Sequence, residues 1–349
     1  MMEKRNPYII SFGRIPKQYI NRSIIIDSIL ETLESDEIEE QAFKLTGIRG
    51  TGKTVALTEI EKRLRDNKDW IIVDIRSNSN IMEDIVSNLY SEVPFISTFV
   101  DAELNLSKFG IGIGVSKKSP VSSLDYALKA MMRELKKKHK KVLIAIDEAR
   151  NTKEMVDFIQ EFQILIREDL PIYLIAAGLY EDIESLENNE GLTFFLRAAK
   201  YEMTPLNITT IKSDYAKTLK LDNAVAEELA YITKGYAFAY QALGKYMWDS
   251  NKKILTDEVL NQLDEALAEK VYKKIWEELA PRDKWYLEFI CQKDQMSASE
   301  LLELTKKNHS DWSEPRKRLS EKGIINVKVR GQIIVNLPRF NSFIDKYTI

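Results

Sequence analysis

Gly47-Ile48-Arg49-Gly50-Thr51-Gly52-Lys53-Thr54 satisfies the pattern G-x-x-x-x-G-K-[ST] at every fixed position. Each residue type has a task in phosphate chemistry. The glycines let the backbone fold around an anion with its N–H groups turned inward. A helix opening near Lys53 adds the positive end of its dipole. Lys53 offers a point charge to the β- and γ-phosphates, and the Thr54 hydroxyl is a ligand for Mg²⁺. An ordinary strand-turn-helix would account for the glycines but for neither Lys53 nor Thr54. At about 7% average glycine usage, a chance match in a chain of this length is on the order of one in a hundred or rarer.

A second constellation lies downstream. Val142-Leu143-Ile144-Ala145-Ile146-Asp147-Glu148 is an apolar run ending in two acids. At the carboxyl edge of a buried sheet, Asp147 is placed to meet a phosphate-bound Mg²⁺, directly or through water. Glu148 is placed as the general base that polarises a water attacking the γ-phosphate. A strand ending in solvated charge is the simpler reading, and the upstream loop favours the functional one. Other chemistries are constrained. Cys291, His139 and His309 are the only Cys and His residues, so Cys/His zinc clusters and an intramolecular disulfide are out, and a Ser-His-Asp enzyme has two possible bases.

The elements that must position these groups can be read from periodicity. Phe43–Thr46 is a short strand leading into the glycine loop, and Val55, Ile60 and Leu64 mark a helix from Thr54 to Arg65. Trp70–Ile75, Val142–Ile146 and Ile172–Ala176 are β-branched runs separated by helical patterns at Ile81–Tyr90, Leu124–Lys138 and Met155–Ile166. Lys200–Met203 is a last strand. Continuous apolar strands alternating with helices predict an α/β fold with a parallel sheet covered on both faces. After Pro205 only helices are predicted: Thr209–Leu219, Ala224–Thr233, Tyr236–Asp249 and Asp257–Leu279. From Pro281 three helices (Arg282–Cys291, Ala298–Lys307, Trp312–Lys322) precede two strands around Arg330-Gly331, a winged-helix pattern. The expected domains are a nucleotide core over 1–204, a helical lid over 205–279 and a winged helix over 280–349.

With both motifs in place, the chain resembles the AAA+ and STAND-type P-loop ATPases, particularly small origin-recognition-like members with a C-terminal winged helix. The resemblance covers nearly the whole length. It implies a sheet in the order 5-1-4-3-2, ATP or ADP with Mg²⁺ held between core and lid, and motion of lid and winged helix with nucleotide state. It implies phosphate binding by Gly47 to Thr54, a metal held by Thr54 and Asp147, and ATP hydrolysis through Glu148 and Lys53. It also matches Phe12-Gly13-Arg14 through Arg22 to a stretch that packs near adenine. Arg197, in Phe194-Phe195-Leu196-Arg197, falls where an arginine finger can project to a neighbour; a helix C-terminal charge is the alternative. Two departures stand out. The end of the fourth strand, Ala176-Ala177-Gly178, offers no polar sensor, and Gly235-Tyr236-Ala237-Phe238-Ala239-Tyr240-Gln241 carries no sensor arginine. Hydrolysis is therefore expected to be slow or partner-dependent. The alternative is a nucleotide-gated DNA- or protein-binding module with negligible turnover.

Charge distribution bears on partners. Residues 280–349 hold 13 Lys+Arg against 9 Asp+Glu, a net +4, whereas the other residues hold 38 against 45, a net −7. A basic module closing an acidic body could contact duplex DNA through Arg316, Lys317, Arg318, Lys328 and Arg330, or dock a protein. Arg316, Lys317 and Arg318 are consecutive and fan around their helix, so they cannot all face one groove. The run Lys136-Lys137-Lys138-His139-Lys140-Lys141 reads as a solvated turn at a helix C-terminus. Gly110, Gly112 and Gly114 alternate within the strand-like insertion Leu104–Val115, without the third glycine spacing or the helix of a dinucleotide fingerprint. Tyr236, Phe238 and Tyr240 suit an aromatic core better than a base-stacking platform. The start MMEKRNPYII is too polar for a signal peptide, and no stretch approaches 18 unbroken apolar residues. The expectation is a cytoplasmic protein without membrane association.

Overall fold

A computed structural model describes residues 5–11, 15–35, 39–77, 80–99, 121–293, 295–327, 329 and 331–347. The insertion Leu104–Val115, Phe12–Arg14, Lys328 and Arg330 lie outside the described residues. The chain divides into two compact units, residues 22–46 with 56–202, and residues 1–21 with 47–55 and 203–349.

In the first unit the elements run α1 (Ser23–Glu34), β1 (Ala42–Thr46), α2 (Lys53–Arg65), β2 (Trp70–Arg76), α3 (Ile81–Glu92), α4 (Pro94–Phe99), α5 (Val121–Lys137), β3 (Lys141–Asp147), α6 (Lys153–Arg167), β4 (Ile172–Gly178), α7 (Tyr180–Glu187), α8 (Thr193–Arg197) and β5 (Ala199–Glu202). Strands order as β2-β3-β4-β1-β5, all parallel. This is the expected 5-1-4-3-2 order read from the other edge. β1 and β4 are buried at every residue, as strands covered on both faces must be, whereas the edge strand β5 has no buried residue. Met155, Phe158, Ile159, Phe162 and Leu165 form the buried stripe of α6, and the Thr152 hydroxyl caps its start by accepting the Met155 N–H at 3.3 Å. Register places Thr46 beside Gly178 and Glu202, so β1 ends on the carboxyl edge of the sheet that also carries the end of β3.

The second unit holds α9 (Ile208–Thr218), α10 (Asn223–Ile232), α11 (Ala237–Ser250), α12 (Asp257–Leu267), a π-helical turn (Ala268–Tyr272), α13 (Lys273–Glu277), α14 (Pro281–Ile290), β6 (Gln295–Ser297), α15 (Ala298–Thr305), α16 (His309–Glu321), β7 (Ile325–Asn326), β8 (Gln332–Val335) and α17 (Phe340–Tyr347). The module from α14 to β8 is a winged helix. Its sheet has three strands, β6-β8-β7, where two were predicted. The π turn breaks the single helix predicted over Asp257–Leu279. One apolar cluster runs from Tyr8 through the lid helices to Ile344 in α17. Polar clasps reinforce it: the Tyr272 hydroxyl donates to the Pro338 carbonyl at 2.6 Å, and Arg339 forks onto buried Asp264. Tyr8 and Tyr240 both donate to Asp214 at 2.7 Å, tying the N-terminal segment to α9 and α11. A β-carbon on Gly244 would lie 2.7 Å from the Tyr8 ring, which is why α11 carries glycine there.

Candidate functional site

The loop after β1 is shaped by conformations that only glycine adopts cheaply. Gly50 and Gly52 have φ values of +76° and +93°. The Thr51 hydroxyl donates to the Ile48 carbonyl at 2.9 Å, closing the turn. Lys53 opens α2, and its ammonium donates back to the carbonyls of Gly47 at 2.8 Å and Ile48 at 3.0 Å. Lys53 and Thr54 thus occupy the first turn of a helix, where backbone N–H groups have no intrahelical acceptor. Residues from the start of α11 and the end of α13 hold the same loop. The Tyr236 hydroxyl donates to the Arg49 carbonyl, the Phe238 N–H donates to the Gly50 carbonyl at 3.0 Å, and Arg49 Nη2 pairs with Glu278 Oε1 at 3.0 Å. Tyr236 and Tyr240 are buried, as expected of core aromatics.

At the carboxyl edge of the sheet, β3 ends in Asp147, whose Oδ1 accepts the Glu148 N–H at 2.9 Å. Glu148 is exposed with a φ of +55°. Other left-handed non-glycine residues, such as His139, Asp169 and Lys220, end helices, whereas Glu148 follows a strand. That backbone costs about 1–2 kcal/mol. Arg150 Nη2 lies 3.6 Å from Glu148 Oε2. The Ala149 N–H donates to the Ala177 carbonyl at 2.8 Å, pinning this turn to β4. A β-carbon on Gly178 would come within 2.8 Å of the Ala149 carbonyl and 3.0 Å of Ile183. At Gly178, the last residue of β4, a side chain would collide with the Ala149 turn and Ile183.

Glu61 was not anticipated. It sits on α2 between Ile60 and Leu64, on the buried face. Burial, then the charge of Asp74 and a hydrogen bond with it, push its carboxyl up to about 8; Arg65 opposes this and Asp147 adds to it. Between about 4.5 and 8 the folded chain holds a proton that the unfolded chain has released, so this contribution to stability falls as pH rises through that window and is lost above it. Glu61→Gln should therefore raise the melting temperature at pH 8.5 more than at pH 5. Equal shifts at both pH values would contradict the assignment.

Arg197 is exposed as the last residue of α8, just before β5 begins beside Phe43. That is the amino edge of the sheet, opposite Asp147 and Glu148. The helix end beneath it is fixed by Lys44, 1% exposed, whose ammonium donates to Glu187 at 2.8 Å, to the Phe195 carbonyl at 2.7 Å and to the Leu196 carbonyl at 3.2 Å.

On the winged helix, Arg316 and Lys317 are exposed along α16. Arg318 is turned inward instead: Nε and Nη2 fork onto Asp283 at 2.9 and 2.6 Å, and that acid is 1% exposed. It joins α14 to α16, and releasing it would leave a buried carboxylate uncompensated. The fan of three consecutive cations thus presents two outward and uses the third internally. In the basic run near α5, Lys136, Lys137 and Lys140 pair with Asp169 at 2.7 Å, Glu134 at 3.2 Å and Asp69 at 3.1 Å, consistent with a solvated turn. No described helix is long and apolar enough to cross a membrane.

Two family models match parts of the chain. Residues 38–186 match the AAA domain, and residues 269–344 match a domain of unknown function, DUF8462. No curated protein matches the chain. Among solved structures, ORC2 of Aeropyrum pernix in ADPNP–ADP complexes is 15% identical with a TM-score of 0.58, covering 96% of each chain. Cdc6p of Pyrobaculum aerophilum is 16% identical with a TM-score of 0.51, covering 97% of this chain and 96% of that one. ORC1 of Aeropyrum pernix in complex with DNA is 16% identical with a TM-score of 0.50, covering 97% and 94%.

Proposed function

We propose, for a chain whose residues 38–186 are an AAA domain within an origin-recognition-like AAA+ fold, that it binds Mg-ATP and hydrolyses it slowly as a switch. The loop closed by Lys53 carries this reading: glycines in left-handed conformations, a lysine folded over them and a helix opening at the same residue. Gly47, Ile48, Arg49, Gly50, Thr51 and Gly52 supply backbone N–H groups to the phosphates, and Lys53 supplies the charge. The residues suit Mg²⁺. Thr54 and Asp147 are hard oxygen donors of the kind Mg²⁺ prefers. Bound there, Mg²⁺ would offset the negative charge that develops on the phosphates. Glu148, exposed just past the end of β3, takes the proton of the attacking water.

Turnover is slow in this reading because β4 has no room for a polar side chain at Gly178 and Arg150 holds the Glu148 carboxylate from one side. The same observations favour the second reading, a nucleotide-gated module that barely hydrolyses. Arg197 cannot act on the acids of its own chain from the opposite edge, so any finger role is exerted on a second copy. The winged helix is the output, with Arg316 and Lys317 outward for DNA phosphates. The DNA complex of Aeropyrum pernix ORC1 supports duplex DNA as the partner. Phosphate release measured in single turnover, with and without duplex DNA, tests this function. DNA-stimulated release supports the switch; binding without release at either condition supports the gated module. Affinity for duplex DNA that stays flat between 50 and 200 mM salt would contradict phosphate contacts, because neutralising even two phosphates gives a log–log slope of about −2.

A further inference from the structure

Peptide planarity turns two lid contacts into a constraint on the phosphate loop. In a trans peptide the C=O and the following N–H point in opposite directions. The Arg49 carbonyl is held by the Tyr236 hydroxyl, and the Gly50 carbonyl by the Phe238 N–H at 3.0 Å. The N–H groups of Gly50 and Thr51 must therefore face away from these two lid residues. We propose that Tyr236 and the Phe238 amide are positioning groups, which hold two loop carbonyls outward and so aim two loop N–H groups at the phosphate tail. The proposal rests on the nucleotide-binding reading above. It assigns a role to the lid segment that lacks an arginine.

The local geometry is built around this grip. A β-carbon on Gly50 would lie 2.8 Å from the Tyr236 ring carbon that bears the hydroxyl and 3.2 Å from the Phe238 β-carbon. The missing side chain therefore serves the lid contact as well as the loop's own φ. Gly235, at φ +75°, brings the chain past Leu206 so closely that a β-carbon would meet the Leu206 carbonyl at 2.5 Å. The Leu206 N–H in turn donates to the Gly235 carbonyl at 2.7 Å, fixing the approach of Tyr236. Burial pushes the Tyr236 hydroxyl far above its ordinary pKa, so it remains a donor. On the loop's other flank, Arg49 pairs with Glu278.

The test compares two hydroxyl deletions in the full chain. Tyr236→Phe should weaken Mg-ATP binding about tenfold in calorimetry, the scale of one buried hydrogen bond. Tyr240→Phe removes another tyrosine hydroxyl bond, here to the Asp214 carboxylate, without touching the loop, and should lower the melting temperature while leaving Mg-ATP affinity within about twofold. Wild-type affinity in Tyr236→Phe, or an equal loss in Tyr240→Phe, would overturn the proposal. A second measurement needs no variant. If the grip favours nucleotide binding, nucleotide must favour the grip by the same factor, so exchange of the Phe238 amide should slow about tenfold on saturation with Mg-ATP. Unchanged exchange in a chain that binds Mg-ATP would overturn positioning alone. Failure of the wild-type chain to bind would overturn the nucleotide reading and this proposal with it.

Discussion

Glu148→Gln should cut phosphate release by about 10²–10⁴-fold while leaving Mg-ATP affinity unchanged, the range expected for removing a general base. The change keeps the side chain's size and removes only its capacity to take a proton. Structural damage should be minor, because the side chain is exposed at the end of β3 and its nearest cation, Arg150, is 3.6 Å away. The backbone bond from the Glu148 N–H to Asp147 survives the substitution. Single-turnover phosphate release beside equilibrium binding separates the two effects. A variant that releases phosphate at the wild-type rate would remove Glu148 from the reaction.

Lys53→Ala should weaken Mg-ATP binding by roughly two orders of magnitude. A hydrogen bond to a charged group is worth about 1.5–3 kcal/mol, and each 1.4 kcal/mol is a factor of ten. Lys53 also donates to the Gly47 and Ile48 carbonyls, so its loss loosens the loop as well as removing charge. The fold itself should persist, because neither bond lies in the sheet or in an apolar cluster. Calorimetry on the purified variant checks this, and wild-type affinity would contradict the role given to the lysine.

Much of the architecture was legible because its signals are local. Ile144-Ala145-Ile146-Asp147-Glu148 reads as a buried strand ending in acids, and Gly47 to Thr54 as a phosphate loop, from adjacent residues alone. Helix α1 escaped notice although Ile26, Ile29, Leu30 and Leu33 repeat at helical spacing. The run Ile24-Ile25-Ile26 blurs that stripe, with Ile24 almost fully exposed, and no side-chain cap marks the start at Arg22. The third wing strand, β6, has three residues, too few for alternation to register. The features that were missed at the sites are non-local. Arg318 turns inward to an acid on α14, burial and then Asp74 on β2 push the Glu61 carboxyl up, and Tyr236 reaches a carbonyl far upstream. Spacing along the chain carries no trace of such pairings.

Calorimetric titration of the intact chain with Mg-ATP bears most directly on the whole account. Saturable binding at a single site, lost when adenosine without phosphates replaces ATP, is the predicted result. A folded chain that takes up no Mg-nucleotide at millimolar concentration would contradict it.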